Sequence, residues 1–297
     1  ERADHLARIL GVHVALSLDR ADEPGPEYWV RFMELAGWRN SDTGRREQAV
    51  EMIVAGTLGP SVRSSIAAAR LAAQAVRPSL PSELYESVNA LHWRVQESGF
   101  LPDLYPFLVD VQMSVRLVDG LLEDTMWHDE ARDFVRLGKF VERATNVTTV
   151  VTHKTSELAN LPDDALEWTA VLKSCFAFEL YQARYPGGVT PEQVIECLLL
   201  DRMLPRSARF SASNAVAAVG RIEGKSHRSK PLRLLGRLDG LYQHADPRSV
   251  IEHPLDFETD CKTVLRQLEV ALRETYFHPS KVPASVAGDE GRGMPQQ

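Results

Sequence analysis

The stretch Phe134-Val-Arg-Leu-Gly-Lys-Phe-Val-Glu-Arg-Ala144 lies in a run from Asp129 to about Leu158 whose apolar residues recur at the period of an α-helix. Its last three residues repeat the opening of the chain, Glu1-Arg2-Ala3, which starts another helical run carrying Leu6, Ile9, Leu10, Val14 and Leu18. Almost everything between and beyond these runs has the same period, and almost nothing alternates with the period of a strand. The chain reads as all-α.

Working outward, breaks stand at Asp22-Glu-Pro-Gly-Pro26, Ser41-Asp-Thr-Gly44, Pro78 with Pro81, Leu161-Pro-Asp-Asp164 and Tyr185-Pro-Gly-Gly188. Between them helices are expected at Glu27 to Ala36, Glu47 to Val54, an alanine-rich run to Val76, Ser82 to Gln96, Leu101 to Leu122, and Ala165 to Arg184. Thr190-Pro-Glu-Gln has the form of an N-cap with proline at the first helical position, opening a helix to about Leu200. Further helices are expected at Ala208 to Val219, Leu232 to Tyr242 and Phe257 to Tyr276, with Gly220 through Ser229 as a loop. Short connections of this kind give a multi-helix bundle of about nine to eleven antiparallel helices. The repeated Glu-Arg-Ala phrase allows two related halves. The expected organisation is one helical domain over residues 1–278, its first helix cut short at Glu1, and a disordered tail over 279–297.

A chain of 297 residues with 44% hydrophobic residues can bury a large core. The net charge of -7 gives no basic footprint for phosphate backbones, so nucleic acid is not an expected partner. Cys175, Cys197 and Cys261 are far apart and odd in number, which argues against a disulfide framework or a cysteine zinc site and fits a reduced, cytoplasmic setting. No apolar run approaches the roughly 20 residues that span a bilayer. Glu-x-x-His pairs, His-Glu-x-x-His, Gly-x-Ser-x-Gly and a dinucleotide fingerprint are absent, and Gly220-Arg-Ile-Glu-Gly-Lys-Ser226 has the wrong spacing for a phosphate loop. Neither a metal nor a cofactor is expected.

The polar candidates are placed by helical spacing. Glu142 shares a helix face with Gly138 and Thr145, and the glycine one turn away clears space for a ligand or for another helix. A carboxylate on a packed face must be paired, protonated or bound. Glu142 with Arg143, and Glu1 with Arg2, therefore read either as ion pairs that fix helix register or as active groups. Glu86, Asn89 and His92 fall near one face of their helix. Asp124 precedes His128 by one turn, and Asp201 and Arg206 bracket Pro205, where the aspartate is expected to cap the following helix and pair with Arg206. If several of these groups converge, carboxylates and guanidiniums together suit a substrate carrying an amine and a carboxylate or phosphate.

Ser82-Glu-Leu-Tyr-Glu-Ser-Val-Asn89, Gly120 to Met126, the Phe134 to Ala144 segment and Leu198-Leu-Leu-Asp-Arg-Met-Leu-Pro-Arg-Ser207 together resemble the alpha-E family of bacterial all-helical proteins. Thr145, where the family continues with an acid, and Tyr85, where it tends to place tryptophan, depart from the pattern. The resemblance implies a setting beside, or fused to, a circularly permuted ATP-grasp ligase, often with a transglutaminase-like protein nearby, and hence amide or peptide bond formation. The expected role is a helical accessory or substrate-binding domain for that ligase. The alternatives are an autonomous enzyme using Glu142, Glu86 and Arg206, and a scaffold whose buried ion pairs only lock the helices.

Overall fold

The structure is a computed structural model, and it describes residues 1–19, 25–38, 43–97, 103–159, 164–224 and 229–277. Among these residues there are fourteen α-helices and no strand: α1 (Arg2–Asp19), α2 (Pro26–Leu35), α3 (Arg46–Ala55), α4 (Val62–Ala75), α5 (Ser82–Glu97), α6 (Leu104–Thr125), α7 (Glu130–Glu157), α8 (Ala165–Ser174), α9 (Phe178–Arg184), α10 (Pro191–Ile195), α11 (Ala208–Glu223), α12 (Lys230–His244), α13 (Pro247–Glu252) and α14 (Pro254–Tyr276). Side-chain caps start many of them, as Ser61, Asp129, Asp164, Thr190, Ser207, Ser229 and Asp246 each accept from a backbone N–H of the first turn. Proline stands in the first turn of α2, α10, α12, α13 and α14.

The count exceeds the expected nine to eleven: the helical runs named from the sequence already number twelve, and they become fourteen for two physical reasons. The helix expected from Ala165 to Arg184 is broken in two at Phe176, and Asp246-Pro247 caps the short α13. The loop expected from Gly220 is helical as far as Glu223, where Gly224 ends α11 at φ 58. The tail expected over 279–297 and the breaks over 22–24 and 41–42 lie outside the described residues.

The long helices form two four-membered rings. In the first, α1 packs on α4, α4 on α5, α5 on α6, and α6 back on α1. In the second, α7 packs on α11, α11 on α12, α12 on α14, and α14 back on α7. Each ring begins with a Glu-Arg-Ala helix, α1 or α7. Each also has short helices inserted after that first member, α2 and α3 in one and α8 to α10 in the other, and the second ring carries the further short α13 between α12 and α14. The inserts cross over, since α2 packs on α7 and α8 on α1. One buried apolar cluster runs through both rings from Ala3 to Val264, with Trp29, Trp168, Tyr181 and Tyr242 fully enclosed.

The correspondence reaches individual residues. The second long helix of each ring opens on Ser-x-Arg-x-Ser: Ser61-Val-Arg-Ser-Ser65 for α4 and Ser207-Ala-Arg-Phe-Ser211 for α11. Both capping serines are fully buried, and Ser65 and Ser211 donate to their carbonyls at 2.7 and 2.8 Å. The first insert of each ring, α2 or α8, ends on the same left-handed cap. Gly37 at φ 88 donates to the Glu34 carbonyl at 3.0 Å and Trp38 to Met33 at 2.8 Å. Phe176 at φ 55 donates to Lys173 at 3.0 Å and Ala177 to Leu172 at 2.9 Å. Glycine is the usual residue there because an L side chain is strained at positive φ. One ring follows that rule at Gly37 and the other breaks it with Phe176.

Candidate functional site

The two Glu-Arg-Ala phrases meet where α1 crosses α7, and they pair crosswise. Arg143 donates from Nε and Nη2 to the Glu1 carboxylate at 2.8 and 2.7 Å, while Arg2 donates to both oxygens of Glu142 at 2.7 and 2.9 Å. These are forked guanidinium–carboxylate contacts of the strong kind. The inner pair is enclosed, with side chains 8% and 10% exposed, and the outer pair is open, at 56% for Arg2 and 25% for Glu142. Each motif thus pairs with the other copy.

Around the inner pair the charges continue. Arg143 also donates to the Pro205 carbonyl at 3.2 Å, which ties α7 to the turn before α11. From that turn Arg206 lies 3.7 Å from Glu1 and 3.5 Å from Asp4, and Asp4 accepts from Arg8 at 2.7 Å. Burial opposes ionisation of Glu1, yet the hydrogen bonds and charge of Arg143, with Arg206, hold its carboxyl down at about 2. Burial pushes the His5 imidazole down to about 4 against the pull of Glu1, Asp4 and Glu142, so it is neutral at pH 7. Burial also pushes the Cys175 thiol up to about 12, although Arg8 and Arg206 favour its thiolate. It remains a thiol and is no activated nucleophile.

Two clefts open on the outer pair. One, of about 410 Å³, is lined by Glu1, Arg2, Gly138, Lys139 and Glu142 facing Ala68 and Ala69 of α4. A Cβ at Gly138 would meet nothing within 4 Å, so the glycine clears open space and not a seat for a helix. The other, of about 610 Å³, is lined by Arg2, His5, Glu34, Glu142, Thr145 and Asn146. Arg2 and Glu142 form the wall between them.

Of the sequence candidates, the fold gathers Glu1, Arg2, Glu142, Arg143 and Arg206. The others stand elsewhere. Glu86 and Asp124 are exposed on α5 and α6, and among the described residues neither shares a hydrogen bond or ion pair with this centre. Asn89 accepts from Arg70 Nε at 2.7 Å. Asp201 accepts from the backbone N–H groups of Met203 and Leu204 at 2.6 and 3.1 Å and pairs with Arg184 at 2.6 Å. It therefore closes the turn before α11, and two expectations are corrected: Ser207 caps the helix, and Arg206 turns to Asp4 and Glu1 instead. Among the described residues no three His, Cys, Asp or Glu side chains are grouped to hold a metal ion. No helix among them is long and apolar enough to cross a membrane.

Sequence reasoning missed the groups that extend the centre toward α6 and α8. The Phe176 ring has the guanidinium carbons of Arg8, Arg116 and Arg206 at 4.5, 4.5 and 5.3 Å from its centroid, and is itself 42% exposed. Arg8 stands one turn after Asp4 on α1, a spacing that was readable as an ion pair.

Residues 1–277 match the family Alpha-E, described as a predicted alpha-helical domain with a conserved ER motif. The chain belongs to the Alpha-E family. The dipeptide Glu-Arg stands twice in this chain, at Glu1-Arg2 and Glu142-Arg143, and the two copies meet at the α1–α7 crossing. Among curated relatives the chain is similar to an uncharacterised protein of Mycobacterium tuberculosis, with 22% identity over 302 residues that take in 92% of this chain and 34% of the relative. An uncharacterised protein of Mycobacterium bovis matches with the same identity and coverage, 22%, 92% and 34%. The chain thus spans about a third of the length of these relatives. No solved structure matches it.

Proposed function

We propose that this Alpha-E chain is an accessory domain that holds an amino-acid or peptide substrate for an ATP-grasp-type amide or peptide ligase, fused to it or separate. The observation that carries the reading is the position of the crossed pairs. The inner Glu1–Arg143 pair locks α1 to α7, and the open Arg2–Glu142 pair forms the wall shared by clefts of about 410 and 610 Å³. A substrate with an ammonium and a carboxylate can exchange with that outer pair, its carboxylate taking the Arg2 fork and its amine taking Glu142. The amide chemistry comes from the family resemblance and belongs to the ligase; the residues here supply binding. A transglutaminase-like protein belongs to the same proposed setting.

The test is to mix the chain with its neighbouring or fused ATP-grasp enzyme and follow ATP turnover and substrate affinity. Stimulation that Arg2→Ala and Glu142→Gln abolish, without loss of fold, supports the reading, and unchanged turnover and affinity on mixing reject it. A second reading, a scaffold, is favoured by the fact that all four groups already have forked partners. It requires that both substitutions leave every binding measurement unchanged.

A further inference from the structure

The two rings place the same backbone at two equivalent corners, which allows a direct comparison of what each corner carries. Superposing the Glu-Arg-Ala phrases sets Asp4 against Thr145 and Arg8 against Thr149, and superposing the capping serines sets Arg206 against Pro60. The matching left-handed caps set Phe176 against Gly37. At one corner these positions are neutral and unstrained. At the other they are three charged groups and a strained aromatic, so the fold does not require the charges.

The charged corner is also out of balance. Arg8, Arg116 and Arg206 surround the Phe176 ring, and the carboxylates beside them are Asp4 and, 3.7 Å from Arg206, Glu1, which Arg143 already holds by two hydrogen bonds. Arg116 contributes most to the surplus. Among the described residues its Nε is buried with no hydrogen-bond partner and its Nη1 donates to the Met113 sulfur at 3.2 Å, a weak acceptor. A ring quadrupole attracts each cation over its face but carries no net charge and cannot neutralise three of them. Burial is the main cause that lowers the Arg206 pKa; the charges of Arg143 and Arg8 add to it, while Asp4 and Glu1 pull the other way. Positive φ at a residue with a large side chain is a further cost that has to be offset. Arg8 also lines a cleft of about 400 Å³ with Tyr105, Gln112, Lys173 and the carboxylate of Glu179. That volume lies within the roughly 300–1,000 Å³ of small-molecule sites.

From this we infer that Phe176, Arg8, Arg116 and Arg206 form a subsite for an oxyanion, a carboxylate or a phosphate, carried by a small molecule whose body lies in the cleft beside Arg8. The anion completes the unused donors of Arg116 and Arg206, and Phe176 holds the guanidinium planes apart and pointed at it. The subsite rests on the substrate-holding reading only for the identity of the molecule it serves.

The experiment titrates the full chain, alone and at constant ionic strength, with inorganic phosphate in one arm and succinate in the other, by calorimetry and by the shift in melting temperature. Saturable binding in the millimolar range or tighter is expected in at least one arm. Arg116→Gln is expected to weaken it tenfold or more and Arg116→Lys less, while Arg273→Gln, on the exposed face of α14, leaves it unchanged. Phosphate alone binding assigns a phosphate, succinate alone a carboxylate, and both a site that takes either. Absence of saturable binding in both arms, or binding that survives Arg116→Gln undiminished, overturns the subsite. Because no ligase is present, failure here leaves the ligase partnership standing, and failure of ligase stimulation leaves the subsite standing.

Discussion

Arg143 reaches from α7 to Glu1 on α1 through two parallel hydrogen bonds of 2.8 and 2.7 Å and, on its remaining side, donates to the Pro205 carbonyl at 3.2 Å. A single guanidinium thus ties together the leading helices of both rings and the turn before α11. Arg143→Ala would leave the buried Glu1 carboxylate without its forked partner, keeping only the longer contact to Arg206 at 3.7 Å. The expected loss of stability is about 3–5 kcal/mol, read from urea unfolding at pH 7. Arg143→Lys is expected to recover only part of it, because one ammonium cannot make the fork. A loss below about 1 kcal/mol for the alanine variant would contradict the anchoring role.

The outer pair has the same chemistry and a different surrounding. Arg2 is 56% exposed, so its contact with Glu142 is screened by water and salt. Arg2→Ala is expected to cost about 1 kcal/mol or less, and the cost is expected to shrink as salt is raised. Equal costs for Arg2→Ala and Arg143→Ala would undo the division into a locking pair and an accessible pair.

The helical class and most helix positions were legible because amphipathic period, proline and capping side chains are local signals, as at Thr190-Pro191 and at the ends of α7. The repeated Glu-Arg-Ala phrase also pointed to the centre. That Glu1 pairs with Arg143, and not Arg2 with its own neighbour, depends on how two helices cross and has no local signal. The break at Phe176 was invisible for a stated reason: helix ends of that shape are recognised by glycine, and here the glycine position holds phenylalanine. Asp201 misled because an aspartate before proline can cap either the turn or the helix, and in the fold Asp201 takes the turn while Ser207 takes the helix. Glu86 shared spacing with Asn89, but spacing does not say which face the bundle covers.

Acid should loosen the α1–α7 junction in two stages. Both Glu1, at about 2 against an ordinary 4.5, and His5, at about 4 against 6.5, bind protons less readily in the fold than in the unfolded chain. The unfolded state therefore takes up more protons as pH falls, and stability declines with it. The His5 contribution is full above pH 6.5 and is lost by pH 4, and the Glu1 contribution is full above pH 4.5 and is lost as pH approaches 2. Burial lowers His153 as well, against the pull of Glu157, so it adds to the first stage. In denaturation midpoints measured across this range, His5→Gln is expected to flatten the slope between pH 6.5 and 4 by up to one proton, about 1.4 kcal/mol per pH unit. An unchanged slope would show that His5 does not titrate as its burial dictates.

The strain at Phe176 can be measured apart from its ring. Phe176→Ala and Phe176→Gly both remove the aromatic and its contacts with Arg8, Arg116 and Arg206, so they differ mainly in backbone. Alanine keeps a Cβ at φ 55, whereas glycine adopts that conformation freely, as Gly37 does at the matching cap of α2. The glycine variant is expected to be the more stable of the two by about 1 kcal/mol, the reverse of their order inside a helix. Thermal unfolding of the pair decides it. If alanine proves as stable as glycine, the left-handed cap carries no cost, and the contrast between Phe176 and Gly37 stops counting as a sign that the aromatic is kept for binding.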